Sequence, residues 1–298
     1  ARAAIETGVA TRPIADLEAY KAGLDGSVFK SAMIMRPVFD AARTAERSIV
    51  FAEGEDERVL RAAQAIMEET TDKPILIGRP EVIEQRCERA GLKIRPGIDV
   101  QIVNPENDPR YFDYWNTYHD IMARKGVTPD LAKAIMRTNT TAIGAVMVHR
   151  GDADSMICGT FGQFLWHLNY VNQILGTDDL HAVAALSLMI LEDGPLFIAD
   201  TQVHPEPTPE QIAETVIGAA RHVRRFGLAP KIALCSHSQF GNLDCDTGRR
   251  MRAAMAILDS APRDFDYEGE MHIDAALDVE LRNRIFPDAH LPGPANVL

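Results

Sequence analysis

From Ser48 onward the chain switches repeatedly between short apolar runs and stretches whose apolar residues recur at helical spacing, the pattern of strands alternating with amphipathic helices. Ser48 to Ala52 is the first apolar run, and Val59, Leu60, Ala63, Ile66 and Met67 then share one helix face. Pro74 to Gly78 and Val100 to Val103 are predicted strands, with Pro80 opening a helix between them. Helices are predicted from Tyr111 to Ala123 and after Thr128, where the threonine caps and Pro129 takes the first turn. His181 to Leu191 and Pro195 to Ala199 are expected to be buried strands of a hairpin turning at Asp193-Gly194. The clearest helix runs from Pro209 to Phe226. Thr208 and Gln211 form its capping box, Ile212, Val216, Ala220 and Val223 its apolar face, and Gly227 with Pro230 its stop. A strand from Lys231 to Cys235, a helix from Asp246 to Leu258 and a strand from Glu270 to Ile273 follow.

Repeated strand-helix units of this kind predict an α/β fold with largely parallel sheets and helices on both faces, arranged as two lobes with a break near His149 to Gly151. Two stretches have the composition of a ligand site. Gly151 to Gln173 reads as a turn, a buried strand closed by Gly159 and a polar-lipped helix entrance, the kind of place where α/β folds bind ligands. Asp152 and Asp154 are expected to form its turn. Cys235 to Asn242 follows a strand directly, and there Ser236, Ser238 and Gly241 suit a backbone-and-hydroxyl cradle for an anionic or thioester ligand, with a plain turn as the alternative.

These stretches also carry a family resemblance. EGEDERVLRAA from Glu53, Gly151 to Asp154 with Gly159, and Ser236, Ser238 and Gly241 resemble segments of the phosphate acetyltransferase (phosphotransacetylase) family. Asp200 and Asp274 resemble the aspartates of two further family segments near the cleft, each with strand-exit hydrogen bonding as the structural alternative. The resemblance implies a two-lobed, parallel-sheet α/β/α sandwich with a cleft between the lobes. It departs where chemistry is expected: Gly162-Gln163-Phe164 occupy the family's His-Thr-Thr positions, Asn169-Tyr170 its Arg-Pro, and Phe240 its lysine. A neutral asparagine cannot supply the charged, bidentate grip that arginine gives a phosphate.

The segments TGVATRPIADLEAY and KSAMIMRPVFDAAR, with the Ser-His-Ser of 236–238, further resemble the large hybrid bacterial malic enzymes, in which a malic domain is fused to a phosphotransacetylase-like domain. By that resemblance residues 1–45 are a connector, 46–149 the first lobe, 150–290 the second, and 291–298 the start of a return to the first. The expected function is then regulatory: acetyl-CoA, bound by Ser236, His237, Ser238, Gly241, Gly162, Gln163, Asn169 and Asp274, acts as an effector. NADP or NAD and a divalent metal serve a catalytic domain preceding Ala1. An active phosphate acyltransferase is one alternative, and a purely oligomerising domain is another. Phe161, Phe164, Leu165, Trp166 and Tyr170 can form a subunit contact or a core helix.

Composition narrows the classes. The 298 residues carry 43 acidic against 31 basic side chains, a net charge of −12, with the bases scattered, which argues against a nucleic-acid surface. Arg137, Arg249 and Arg250 are candidates for a local basic rim. No apolar run approaches the roughly 18 residues of a membrane span, and the first residues lack the pattern of a signal peptide. The four cysteines show no C-x-x-C spacing, so reduced thiols and a cytoplasmic home are expected. Without an initiator methionine, the chain is expected to be part of a longer polypeptide.

Other chemistries find little support. The nine histidines are dispersed, with neither H-E-x-x-H nor a cysteine pair to complete a metal site, and His167 is expected to be a satisfied residue on the helix after Gly162. No two of the 20 glycines are spaced as G-x-G, and no P-loop is present. Ser236 and His237 are adjacent on an extended segment and point to opposite faces, so they do not form a hydrolase pair.

Overall fold

The computed structural model describes residues 30–45, 47–70, 73–176, 183–191 and 194–298. The chain divides into two compact units, one of Ala41–Leu180 and the other of His181–Leu298 with the segment before Ala41. The helix Lys30–Ala45 (α1) runs across that division.

The first unit is built on four parallel strands, β1 (Ile49–Phe51), β2 (Ile75–Ile77), β3 (Gln101–Val103) and β4 (Ser155–Ile157), in the order β3-β2-β1-β4. Side chains alternate across the sheet. Val50, Ile75, Ile77 and Val103 pack under α4 (Tyr111–Met122), α5 (Pro129–Thr138), α6 (Thr140–Arg150) and α7 (Phe164–Leu175), while Phe51 and Leu76 pack under α2 (Glu57–Glu69) and α3 (Pro80–Ala90). This unit is the expected α/β/α sandwich. Its helix starts follow the sequence: Asp56 caps α2, Thr128 accepts from the Leu131 amide, and Asn139 caps α6.

The expected break near residues 149–151 falls inside this unit. Gly151, at φ 78°, ends α6, and β4 then returns to pair with β1. Asp154 is more than a turn former: its carboxylate accepts from the Ser48 amide and hydroxyl, both at 2.8 Å, and from Arg47, fastening β4 to a segment 106 residues earlier. Those bonds hold its carboxyl below the usual range. The expected burial of this strand also fails, because β4 lies at the sheet edge and leaves Ile157 48% exposed.

The second unit combines an antiparallel hairpin with a parallel pair. Strands β5 (Leu186–Leu191) and β6 (Gly194–Ala199) form the predicted antiparallel hairpin, although Asp193 of its turn lies outside the described residues. Its outer end is exposed at Met189, Ile190 and Leu191 rather than buried. Strands β7 (Lys231–Cys235) and β8 (Asp266–Met271) pair in parallel, so the strand expected at 270–273 begins earlier and gives way to helix at Ile273.

Residues 296–298 pair within the second unit. Val297 makes parallel bridges to Phe197 of β6 and Ile232 of β7, with the Phe197 amide donating to the Asn296 carbonyl at 2.8 Å and the Ala233 amide to the Val297 carbonyl at 2.9 Å. These residues therefore join the hairpin to the parallel pair. Helices α8 (Pro209–Arg225) and α9 (Asp246–Asp259) cover one face through Val216, Val223, Ala254 and Leu258. The short helix α10 (Ile273–Leu277) brings Ala275 and Ala276 to the other, against Met271 and Leu291. The predicted capping box of α8 is complete. Helix α11 (Val279–Ile285) supplies Arg282, a fully buried side chain.

Candidate functional site

The eight expected contact residues fall into two groups, each held by its own unit. Gly162 and Gln163 lie just before α7 and Asn169 in its second turn, all three exposed. Gln163 is the N-cap and makes no side-chain capping bond, so the first amides of this helix lack that partner. Gly162 has φ 91°, and a Cβ there would stand 3.0 Å from Nε2 of His167. Only glycine suits that turn. A cavity of about 330 Å³ opens here, lined by Phe161, Gly162, Gln163, Trp166 and His167.

His167 is the satisfied residue the sequence suggested. It is buried, with Nε2 2.8 Å from the Phe161 carbonyl and Nδ1 2.8 Å from the Thr141 hydroxyl. A carbonyl only accepts, so Nε2 carries the proton and Nδ1 accepts from threonine. Before it, both carboxylate oxygens of buried Glu53 accept from the Gly159 amide at 3.1 Å, and burial, with Glu53 nearby, raises the Cys158 thiol. Of the five residues expected to form a subunit contact or a core helix, Tyr170 packs against the core of this unit. Phe161, Phe164, Leu165 and Trp166 are between 46% and 65% exposed.

Ser236, His237, Ser238, Gly241 and Asp274 belong to the second unit. The loop after β7 is largely self-satisfied: the Ser236 hydroxyl donates to the Ser238 carbonyl and accepts from the Ser238 amide, and the fully buried Ser238 hydroxyl accepts from the Leu243 amide. The Gly241 amide donates to Glu270 at 3.0 Å. Glu270 is fully buried and pairs with Arg252 at 2.7 Å, an ion pair beneath the loop that the local sequence did not announce. Phe240, at φ 49°, packs against Phe286 with centroids 4.1 Å apart and the rings tilted by 43°. His237 is exposed, and its carbonyl is 3.3 Å from Nε2 of His272. The exposed Asp274 accepts from the Ala275 amide.

Asp200 takes the strand-exit role that was its structural alternative. Its carboxylate accepts amide bonds from Ala185, Gln202, Val203 and His204, and Nδ1 of His204 lies 2.9 Å away. Burial works to raise its pKa, but the four amide bonds prevail and hold it at about 2. The pairing with His204 was not anticipated from the sequence. The i to i+4 spacing of Asp200 and His204 outside a helix gives no signal for it.

Among the described residues no group of histidine, cysteine, aspartate and glutamate has the arrangement to hold a metal, and no helix is long and apolar enough to cross a membrane. All four cysteines are free.

A family described as phosphate acetyl/butaryl transferase matches residues 33–298. The chain belongs to that family. Phosphotransacetylase structures share its α/β fold: EutD phosphotransacetylase from Staphylococcus aureus superposes with a TM-score of 0.77 at 23% identity, covering 89% of this chain and 81% of that one. A phosphotransacetylase from Streptococcus pyogenes gives 0.75 at 26%, covering 88% and 80%. Within the family, the chain is 50% identical over its full length to an NAD-dependent malic enzyme of Rhizobium meliloti and 46% identical to an NADP-dependent malic enzyme of Escherichia coli, and spans 39% of each. A phosphate acetyltransferase of Synechocystis is 32% identical over 86% of the chain and 37% of that protein. The sequence match to malic enzymes is thus both longer and closer than that to this acyltransferase.

Proposed function

We propose that this phosphotransacetylase-like chain is the regulatory part of a cytoplasmic malic enzyme. It binds acetyl-CoA as an effector and does not itself transfer acyl groups. The observation that carries the reading is Asn169, which stands at the family's arginine position. It is exposed, and its side-chain carbonyl accepts from Gln173 at 3.2 Å. No charge is present at that side chain to hold a phosphoryl group, and at the family's lysine position Phe240 packs on Phe286. Full-length similarity to malic enzymes supports the same assignment. NADP or NAD and a divalent metal belong to the catalytic part, which performs the oxidative decarboxylation of malate to pyruvate. Binding at two distinct sites makes the control allosteric, with a coupling of about 1–3 kcal/mol.

Self-association accompanies this role, and neither nucleic acid nor membrane is a partner. The exposed Phe161, Phe164, Leu165 and Trp166 favour a contact between copies of the chain. The test of the effector reading is a calorimetric titration with acetyl-CoA, using CoA as the control, beside an assay of acetyl phosphate turnover. Saturable binding without turnover is expected. No binding up to about millimolar, a regime of only about 4 kcal/mol, sinks the reading.

A further inference from the structure

A groove of about 550 Å³ runs between α8 and the start of β5, wholly within the second unit. Its walls are small and apolar: Ala184, Ala185 and Leu186 on the strand side, Ala199 at the end of β6, and Ile217 and Ala219 on the helix. Glu214, Thr215, Gly218, Arg221 and His222 line it at spacings of three and four residues from Gly218, so they share one face of α8. Gly218 is the gap in that face. A Cβ built there meets nothing within 4 Å, so the space beside it is open. Glycine is a poor residue for a helix interior, and here its missing side chain widens the groove. The end toward the C-terminus of α8 is charged. Arg221 is exposed, and among the described residues its side chain makes no hydrogen bond or ion pair. Burial, with Arg225 and Arg221 beside it, lowers the pKa of His222, which leaves that ring neutral near neutral pH. Arg221 is therefore the single fixed positive charge in the lining. An apolar groove with one charged group at its end has the make-up of a small-molecule site.

We propose that this groove binds an apolar monocarboxylate, of the class of medium-chain aliphatic acids, with its tail along Gly218 and Ala185 and its carboxylate on Arg221. The forked guanidinium matches a carboxylate with two parallel bonds. One fixed charge balances one carboxylate, whereas a doubly charged phosphate is left half-neutralised against apolar walls. The apolar tail follows from the alanines, Leu186 and Ile217, which give carbon contacts over most of the groove. Acetyl-CoA plays no part in this binding.

Calorimetry of the full-length protein with octanoate, and with octanamide as the uncharged control, tests this at neutral pH. Octanoate is expected to bind saturably and about tenfold or more tighter than octanamide, the gain of a charge-assisted contact. Arg221→Gln removes most of that difference. Gly218→Leu, whose side chain enters the open space, weakens both ligands alike. Neither substitution touches a buried side chain, and glutamine and leucine are good helix formers, so both variants are expected to fold. If Gly218→Leu does not fold, Arg221→Gln at its exposed position decides alone. No saturable binding of octanoate up to about millimolar, equal affinity for octanoate and octanamide, or an octanoate affinity unmoved by either folded variant overturns the proposal. A lower mass of Gly218→Leu by light scattering, with octanoate binding kept, assigns the groove to a second copy of the chain and overturns it as well.

Discussion

The Thr141 hydroxyl lies 2.8 Å from Nδ1 of His167, and the two residues tie the start of α6 to α7 within a buried contact. The other ring nitrogen holds the Phe161 carbonyl, so one imidazole fixes the backbone leading into Gly162 and Gln163. Thr141→Val keeps the shape but leaves a buried ring nitrogen unpaired. It is expected to cost about 1–3 kcal/mol, read as a lower urea midpoint at unchanged slope. An unshifted midpoint removes this hydrogen bond from the account of the turn.

Asp200 makes a second prediction, in which pH carries the information. Its carboxyl falls from the ordinary 3.8 to about 2 in the folded chain. The sign follows directly: a depressed folded pKa contributes stability that is complete above 3.8 and lost as pH falls through about 2. Asp200→Asn replaces a charged acceptor of four amides, and a loss of at least about 2 kcal/mol is expected at neutral pH. The gap between variant and parent closes as the pH is lowered from about 4 toward 2. Denaturation series at several pH values measure it, and a gap independent of pH contradicts the assignment.

Much of this architecture was legible because it is local. Thr208 and Gln211 lie three residues apart, so their capping box is visible in sequence, as are the hairpin turn at Gly194 and the proline-opened α5. The long-range features were not. β4 joins the first unit through Asp154 and Ser48, 106 residues apart, and nothing near Gly151 signals that return. Residues 296–298 enter a sheet by backbone bonds alone, and three residues have no periodicity to read. In the candidate site, Gly162 and the helix entrance were legible from glycine and polarity. The buried Glu270 and Arg252 pair and the Asp200 and His204 pair depend on how separate segments fold together.

Arg282 gives a third prediction. Its guanidinium is fully buried and donates to the carbonyls of Ala275, Ala276, Leu291 and Gly293, holding α10 to the segment that leads toward Val297. Lysine has one compact ammonium and cannot reproduce four contacts spread over that plane. Arg282→Lys is therefore expected to destabilise the fold by about 3 kcal/mol or more, in the range of broken buried charge networks. A thermal shift close to that of surface variants argues against this bracing role.

The exposed patch at the start of α7 tests the proposed self-association. Leu165 is 60% exposed, so Leu165→Glu has no core to disrupt. Mass measurement by light scattering is expected to show a smaller oligomer for this variant. An unchanged mass excludes this patch as the contact.

Asn169 allows the absence of acyl transfer to be tested by restoration. Asn169→Arg places a guanidinium at an exposed position on the first turns of α7. A charged, forked donor gains one or two strong bonds to a phosphate, so inorganic phosphate is expected to bind about tenfold more tightly, the equivalent of about 1.4 kcal/mol. Turnover of acetyl phosphate should remain at background, because Phe240 still stands where the family carries lysine. Phe240→Lys in the same chain is the stricter step, since it also removes the contact with Phe286. CoA-dependent consumption of acetyl phosphate by the double variant but not the parent places the loss of chemistry at these two positions. Turnover by the parent itself contradicts the regulatory reading and favours an active acyltransferase.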